Sequence, residues 1–66
     1  MKIQLNGENH DIPEACTAAG LVEQLQLSGK RIAMEVNLEI VPRSEYPSFQ
    51  LNAGDRVEIV HAIGGG

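Results

Sequence analysis

The chain ends His61-Ala62-Ile63-Gly64-Gly65-Gly66, and the chemistry most within reach of this sequence lies there. Glycine loses more backbone freedom on ordering than any other residue, so residues 64–66 are expected to form a flexible tail beyond a folded domain spanning 1–63. Lacking Cβ atoms, such a run can also thread a channel too narrow for any side chain. Extended, three glycines carry a terminal carboxylate about 10 Å beyond the last anchored residue. An α-carboxylate is ionised at neutral pH and inert toward nucleophiles. It becomes useful only when another enzyme activates it. The glycines follow an apolar strand with no serine, tag or polar spacer between, which is the arrangement of a delivered group.

Other chemistry is thin. His10 and His61 are the only histidines and fall on different predicted strands, with no cysteine or carboxylate spacing that suits a metal ion. Cys16 is the only cysteine, so an internal disulfide and a multi-cysteine metal site are excluded. As a nucleophile it would need a base and an oxyanion hole. It sits instead in Pro13-Glu14-Ala15-Cys16-Thr17, the lead-in to a predicted helix, and reads as a small, semi-buried filler. Gly64-Gly65-Gly66 cannot cradle a phosphate, because no helix N-terminus follows it. The carboxylates are scattered over strands and turns. The expectation is a protein that is not itself an enzyme and binds no cofactor or metal.

The bulk properties agree. The 66 residues carry a formal net charge of −4, which argues against nucleic acid as a ligand and for a basic protein surface as partner. The first residues, Met1-Lys2-Ile3-Gln4-Leu5-Asn6, lack the apolar run of a signal peptide, and no stretch is long enough to span a bilayer. A cytoplasmic protein, monomeric when free and not bound to membrane, is expected.

The elements that must position the tail follow from periodicity. Lys2–Asn6 alternates polar and apolar, Asn6-Gly7 supplies a type I′ turn, and Glu8–Ile12 returns as a second strand ended by Pro13. Thr17 is a helix N-cap, and Ala18–Leu27, with Leu21, Val22 and Leu25 on one stripe, predicts about three helical turns stopped at Ser28-Gly29. Arg31–Val36 and Leu38–Val41 read as short strands on either side of Asn37, the second closed by Pro42. Arg43–Phe49 reads as irregular with room for one helical turn, and Asn52-Ala53-Gly54-Asp55 as a turn. Arg56–Ala62 is the clearest strand, with Val57 and Ile59 on one face and Arg56, Glu58, Val60 and Ala62 on the other. This order predicts an α+β fold, a mixed sheet of four or five strands over one main helix. Ile3, Leu5, Leu21, Leu25, Val57 and Ile59 form its core, and the first and last strands run parallel side by side. Val60, Ala62 and Ile63 then make a small apolar docking surface beside the tail, unless the Arg43–Phe49 segment covers that face.

With these elements in place, the chain resembles the ubiquitin-like sulfur carrier proteins of β-grasp fold, and among them the ThiS family of thiamine biosynthesis. The likeness rests on Val36-Asn37-Leu38-Glu39-Ile40-Val41-Pro42-Arg43, on Leu51-Asn52-Ala53-Gly54-Asp55-Arg56-Val57-Glu58-Ile59-Val60, and on the terminal glycines. The Val-Pro-Arg segment is the specific part, and three terminal glycines stand where two suffice. The resemblance implies that Gly66 is adenylated with ATP by an E1-like adenylyltransferase of the ThiF type, with Gly64 and Gly65 entering the partner's active site. A persulfide enzyme would supply sulfur, the end would become a thiocarboxylate, and a ThiG-type thiazole synthase would accept the sulfur. The small subunit of molybdopterin synthase, a carrier serving tRNA thiolation or protein conjugation, and a β-grasp interaction module with an inert tail are the alternatives.

Overall fold

The computed structural model describes residues 1–62. Five strands and one α-helix appear in the order β1 (Lys2–Leu5), β2 (Glu8–Asp11), α1 (Ala18–Gln24), β3 (Ile32–Val36), β4 (Glu39–Val41) and β5 (Arg56–His61), with a 3₁₀ helix at Arg43–Ser48 between β4 and β5. The strands form one mixed sheet in the spatial order β2-β1-β5-β3-β4. β5 lies at its centre, parallel to β1 and antiparallel to β3. This is the β-grasp arrangement, and the parallel pairing of the first and last strands is as expected.

The two hairpin turns depend on left-handed backbone. Asn6 and Gly7 join β1 to β2 with φ of 51° and 85°, the type I′ geometry that suits the right-handed twist of the paired strands. Between β3 and β4 the same conformation falls on Asn37 and Leu38, with φ of 53° and 71°. Leu38, read from the sequence as the start of a strand, is therefore a turn residue, and β4 begins at Glu39.

The helix is shorter than its periodicity predicts. Thr17 caps it as expected, its Oγ1 accepting the Gly20 N–H at 3.1 Å. The far end comes at Gln24 and not at Ser28-Gly29. Gln26 takes φ of +60°, its N–H donates to the Glu23 carbonyl, and the Leu27 N–H donates to the Val22 carbonyl at 2.9 Å. These are the two hydrogen bonds of a Schellman cap, built without glycine. The motif brings the residue after the cap back over the last turn, and Leu27 and Val22 line one groove. Leu27 also packs against the core cluster, the apolar anchoring that commonly accompanies this cap.

One face of the sheet carries the core. Ile3, Leu21, Met34, Leu51 and Val57 are fully buried there, joined by Val36, Val41 and Ile59. Leu5 and Leu25, placed in the core from the sequence, are half-buried and pack against its margin. Met34, Leu51 and Tyr46 are buried in the core as well, the last reaching it from the 3₁₀ helix. That helix packs against α1. It therefore lies on the covered side and leaves the other face of β5 bare.

Candidate functional site

The only part of the candidate site within the described residues is the platform that launches the tail. Gly64, Gly65 and Gly66, with Ile63, lie outside the described residues, so the readings placed on them concern chemistry that the platform would deliver.

β5 is gripped from both sides by backbone ladders, and two turn asparagines extend the grip at its ends. On the β1 side, ordinary pairing ends with the Asn6 N–H donating to the Val57 carbonyl at 2.9 Å. The chain then turns away, yet the Asn6 side chain continues the ladder. Its Oδ1 accepts the Ile59 N–H at 2.9 Å and its Nδ2 donates to the Ile59 carbonyl at 3.2 Å. A carboxamide is a peptide group on a short stem, so it can replace one more residue of strand. On the β3 side, Asn37 does the same at the start of β5. Its Oδ1 accepts the Arg56 N–H at 3.0 Å, and its N–H donates to the Arg56 carbonyl at 2.7 Å. Its Nδ2 donates to Asp55 Oδ1 at 3.1 Å. Pairing along β3 then runs past the end of the strand, the Ala62 N–H donating to the Arg31 carbonyl at 2.9 Å. The strand is thus held to within one residue of Ile63.

Sequence reading identified both asparagines as turn formers and missed their side-chain roles. The signal was Asn at both turns, since Gly alone would satisfy the backbone.

Val60 and Ala62 are exposed on the face away from the helix, as expected. Two further apolar residues accompany them. Leu38 is 73% exposed, Ile40 66% and Val60 59%. Register places these side chains. Ile40 is opposite Glu35, Glu35 is opposite Glu58 on β5, and Ala33 is opposite Val60. Residues 33, 35, 40, 58 and 60 therefore share the open face. Leu38 lines a shallow groove there with Gln4, Asn37, Gly54 and Arg56.

The remaining reactive side chains belong to the covered side. Cys16 is buried and unpaired, its Sγ donating weakly to the Thr17 carbonyl at 3.4 Å. Burial pushes its thiol up from the ordinary value, the N-terminal ammonium pulling slightly the other way. A Cβ added to Gly20 would stand 3.3 Å from that sulfur, a tight contact. His10 Nε2 and Gln24 Oε1 are 2.7 Å apart, tying β2 to α1. Arg43 donates to the Lys30 carbonyl and Pro42 caps the 3₁₀ helix, so the Val41-Pro42-Arg43 segment forms a structural corner. Among the described residues, no three His, Cys, Asp or Glu side chains gather as metal ligands, and no helix is long and apolar enough to cross a membrane.

A β-grasp sheet whose central strand is followed in the sequence by Ile63 and three glycines is the arrangement of ubiquitin-like carriers. The comparisons narrow it. The ThiS family model matches residues 3–66, and the chain belongs to the ThiS family, the sulfur carriers of thiamine biosynthesis. It is 35% identical over 65 residues to the sulfur carrier protein ThiS of Bacillus subtilis, covering 97% of this chain and 98% of that one. The crystal structure of a thiamine biosynthesis protein (ThiS) from Geobacter metallireducens superposes with a TM-score of 0.87 at 25% identity, covering all of both chains. A thiazole synthase of Paramagnetospirillum magneticum is 42% identical over all 66 residues. The chain spans about a fifth of the length of that protein and of the thiazole synthase of Magnetococcus marinus.

Proposed function

We propose that this chain carries sulfur as a thiocarboxylate on Gly66 and delivers it to a thiazole synthase for the thiazole ring of thiamine. The observation that carries the reading is continuity. The central strand is held by hydrogen bonds as far as Ala62, and the family match extends through the three glycines to residue 66.

In this mechanism the carboxylate oxygen of Gly66 attacks the α-phosphorus of ATP on an E1-like adenylyltransferase, and pyrophosphate leaves. The acyl adenylate then loses AMP to the terminal sulfur of a persulfide. A second thiol cleaves the resulting acyl disulfide, ends in a disulfide itself, and frees the thiocarboxylate. Every catalytic group belongs to a partner. The carrier contributes the reactive end, its reach and a docking surface at Val60, Ala62 and Ile63, with Gly64 and Gly65 passing through the narrow approach. Adenylation requires the carboxylate within bonding distance of phosphorus, and a misplacement of about 1 Å can cost on the order of 10²-fold in rate. The anchoring of β5 by Asn6, Asn37 and Arg31 sets the origin from which that reach is measured. A reducing cytosol suits a thiocarboxylate, and no resident cofactor is required.

Mass spectrometry of the protein purified from its host tests the reading, because conversion of –COOH to –COSH adds about 16 Da. Deleting Gly66, or adding one alanine after it, is expected to leave melting unchanged and to abolish pyrophosphate exchange into ATP with the adenylyltransferase. Wild-type exchange by both variants would remove the tail from the chemistry.

A further inference from the structure

The open face of the sheet departs from what folding alone would select at three places, and the three adjoin. Leu38 holds a bulky side chain in left-handed backbone, a conformation that costs about 1–2 kcal/mol outside glycine, and it is the most exposed large apolar residue among those described. Ile40, one position before the buried Val41, faces solvent. Beside Ile40 lie two carboxylates, Glu35 and Glu58, directly opposite each other on β3 and β5, with Ala33 and Val60 the next pair along on one side and Asn37 and Arg56 on the other. The backbone bonds of Asn37 with Arg56 place 35 and 58 in the hydrogen-bonded register, about 5.5 Å apart at Cα. Like charges directly opposite destabilise a sheet. Among the described residues neither carboxylate has a cation within ion-pair distance. A lysine at either position would have relieved the repulsion.

We infer that Glu35 and Glu58 form an acceptor for an arginine side chain of thiazole synthase, framed by the apolar contacts of Leu38, Ile40 and Val60. The inference rests on the transfer proposed above and adds the chemistry by which the two proteins recognise each other. A planar guanidinium offers five N–H donors in a fixed fork and is more weakly hydrated than an ammonium, so it can bridge two carboxylates across strands. Ile40 on the neighbouring strand, and Ala33 and Val60 as the next pair along, would exclude water from that contact on two sides, the condition under which an interfacial charge pair adds most. The synthase is the chosen partner because a stretch similar to this whole chain is part of the thiazole synthase polypeptide in two relatives. The docked arginine also cancels the repulsion that the free carrier holds in its sheet.

The experiment titrates purified thiazole synthase with the full chain in a calorimeter at low and high salt, comparing wild type with Glu35→Gln/Glu58→Gln. The double variant is expected to melt at or above the wild-type temperature, to bind about tenfold more weakly, and to lose most of the salt dependence. A control, Glu23→Gln/Glu45→Gln, makes the same change of net charge on α1 and the 3₁₀ helix and is expected to bind as wild type. Equal weakening by the control would overturn the inference, since overall charge would then suffice. So would unchanged binding by the open-face variant, or weakening confined to the adenylyltransferase complex. In each of those cases thiocarboxylate formation on wild type still upholds the carrier reading; a wild-type chain that neither acquires the extra mass nor binds the synthase would sink that reading itself.

Discussion

Two adjacent pairs of residues, Ile40-Val41 and Ile59-Val60, contrast the two faces of the sheet. Val41 and Ile59 are buried against the helix side; their neighbours Ile40 and Val60 lie in water. All four are β-branched and favour a strand equally, so propensity does not separate them. Burial does. On the covered face every large apolar side chain touches others of its kind, and its removal would leave a cavity. On the open face apolar groups adjoin a pair of carboxylates set directly opposite each other, and no element among those described covers them. The covered face holds the domain together, and the open face is available to a partner.

The sharpest way to break that contrast is to attack the covered face. Leu21 is fully buried beneath α1, and Leu21→Ala is expected to cost about 2–5 kcal/mol in a urea titration. For a domain of this size that is a large part of the total stability. A loss under about 0.5 kcal/mol would show that the sheet and helix do not share one core. Asn6→Ala should come next, at about 1–3 kcal/mol, because it strands the Ile59 N–H and carbonyl with no strand to replace them. Hydrogen exchange at the Ile59 amide should quicken by more than at Met34, which reads the loosening of β5 near its exit directly. Uniform acceleration across the sheet would mean that Asn6 supports the whole fold and not the exit of β5.

Much of the covered face was legible in the sequence. Alternation identified Ile3, Val57 and Ile59, Asn6-Gly7 announced its turn, and Thr17 its cap. Failures came where a local pattern met a longer-range contact. The Leu21–Leu25 stripe predicts a helix through Leu27, but the left-handed Gln26 and the capping bonds of Gln26 and Leu27 end it at Gln24. Leu38 extends an apolar run and reads as strand until Asn37 places it in the turn. Tyr46 lies in a segment with Pro47 and two serines, so nothing local marks it as core. The open face was half legible. Val60 followed from alternation, whereas the opposition of Glu35 and Glu58 depends on strand register, which no single segment contains.

A milder perturbation sharpens the contrast from the other side. Val60→Asp adds charge to the open face and removes no core contact, so stability should change by no more than about 0.5 kcal/mol. Binding of the full chain to the adenylyltransferase and to thiazole synthase should each weaken about tenfold by calorimetry, as loss of an apolar anchor at a desolvated contact does. Unaltered binding would move the interface off β5 and leave the exposure of Val60 unexplained.

The smallest effect expected belongs to Cys16, and it tests whether the covered face is inert. Burial raises its thiol above the ordinary value, with the N-terminal ammonium opposing, so the folded chain favours the neutral sulfur. An unfolded chain gives up that proton at lower pH than the folded one. The stabilisation is therefore complete below the thiol's ordinary pKa, about 8.5, and is lost as pH rises through the raised folded value. Denaturation midpoints measured at increasing pH from neutrality should fall more steeply for wild type than for Cys16→Ala, which has no thiol to ionise. The variant should also keep wild-type binding to both partners, because Cys16 faces Gly20 and Thr17 on the side opposite Val60. Parallel pH profiles would show that burial does not hold this sulfur neutral. A loss of sulfur loading in Cys16→Ala, with stability intact, would be the graver result, since it would place chemistry on the face that otherwise only folds.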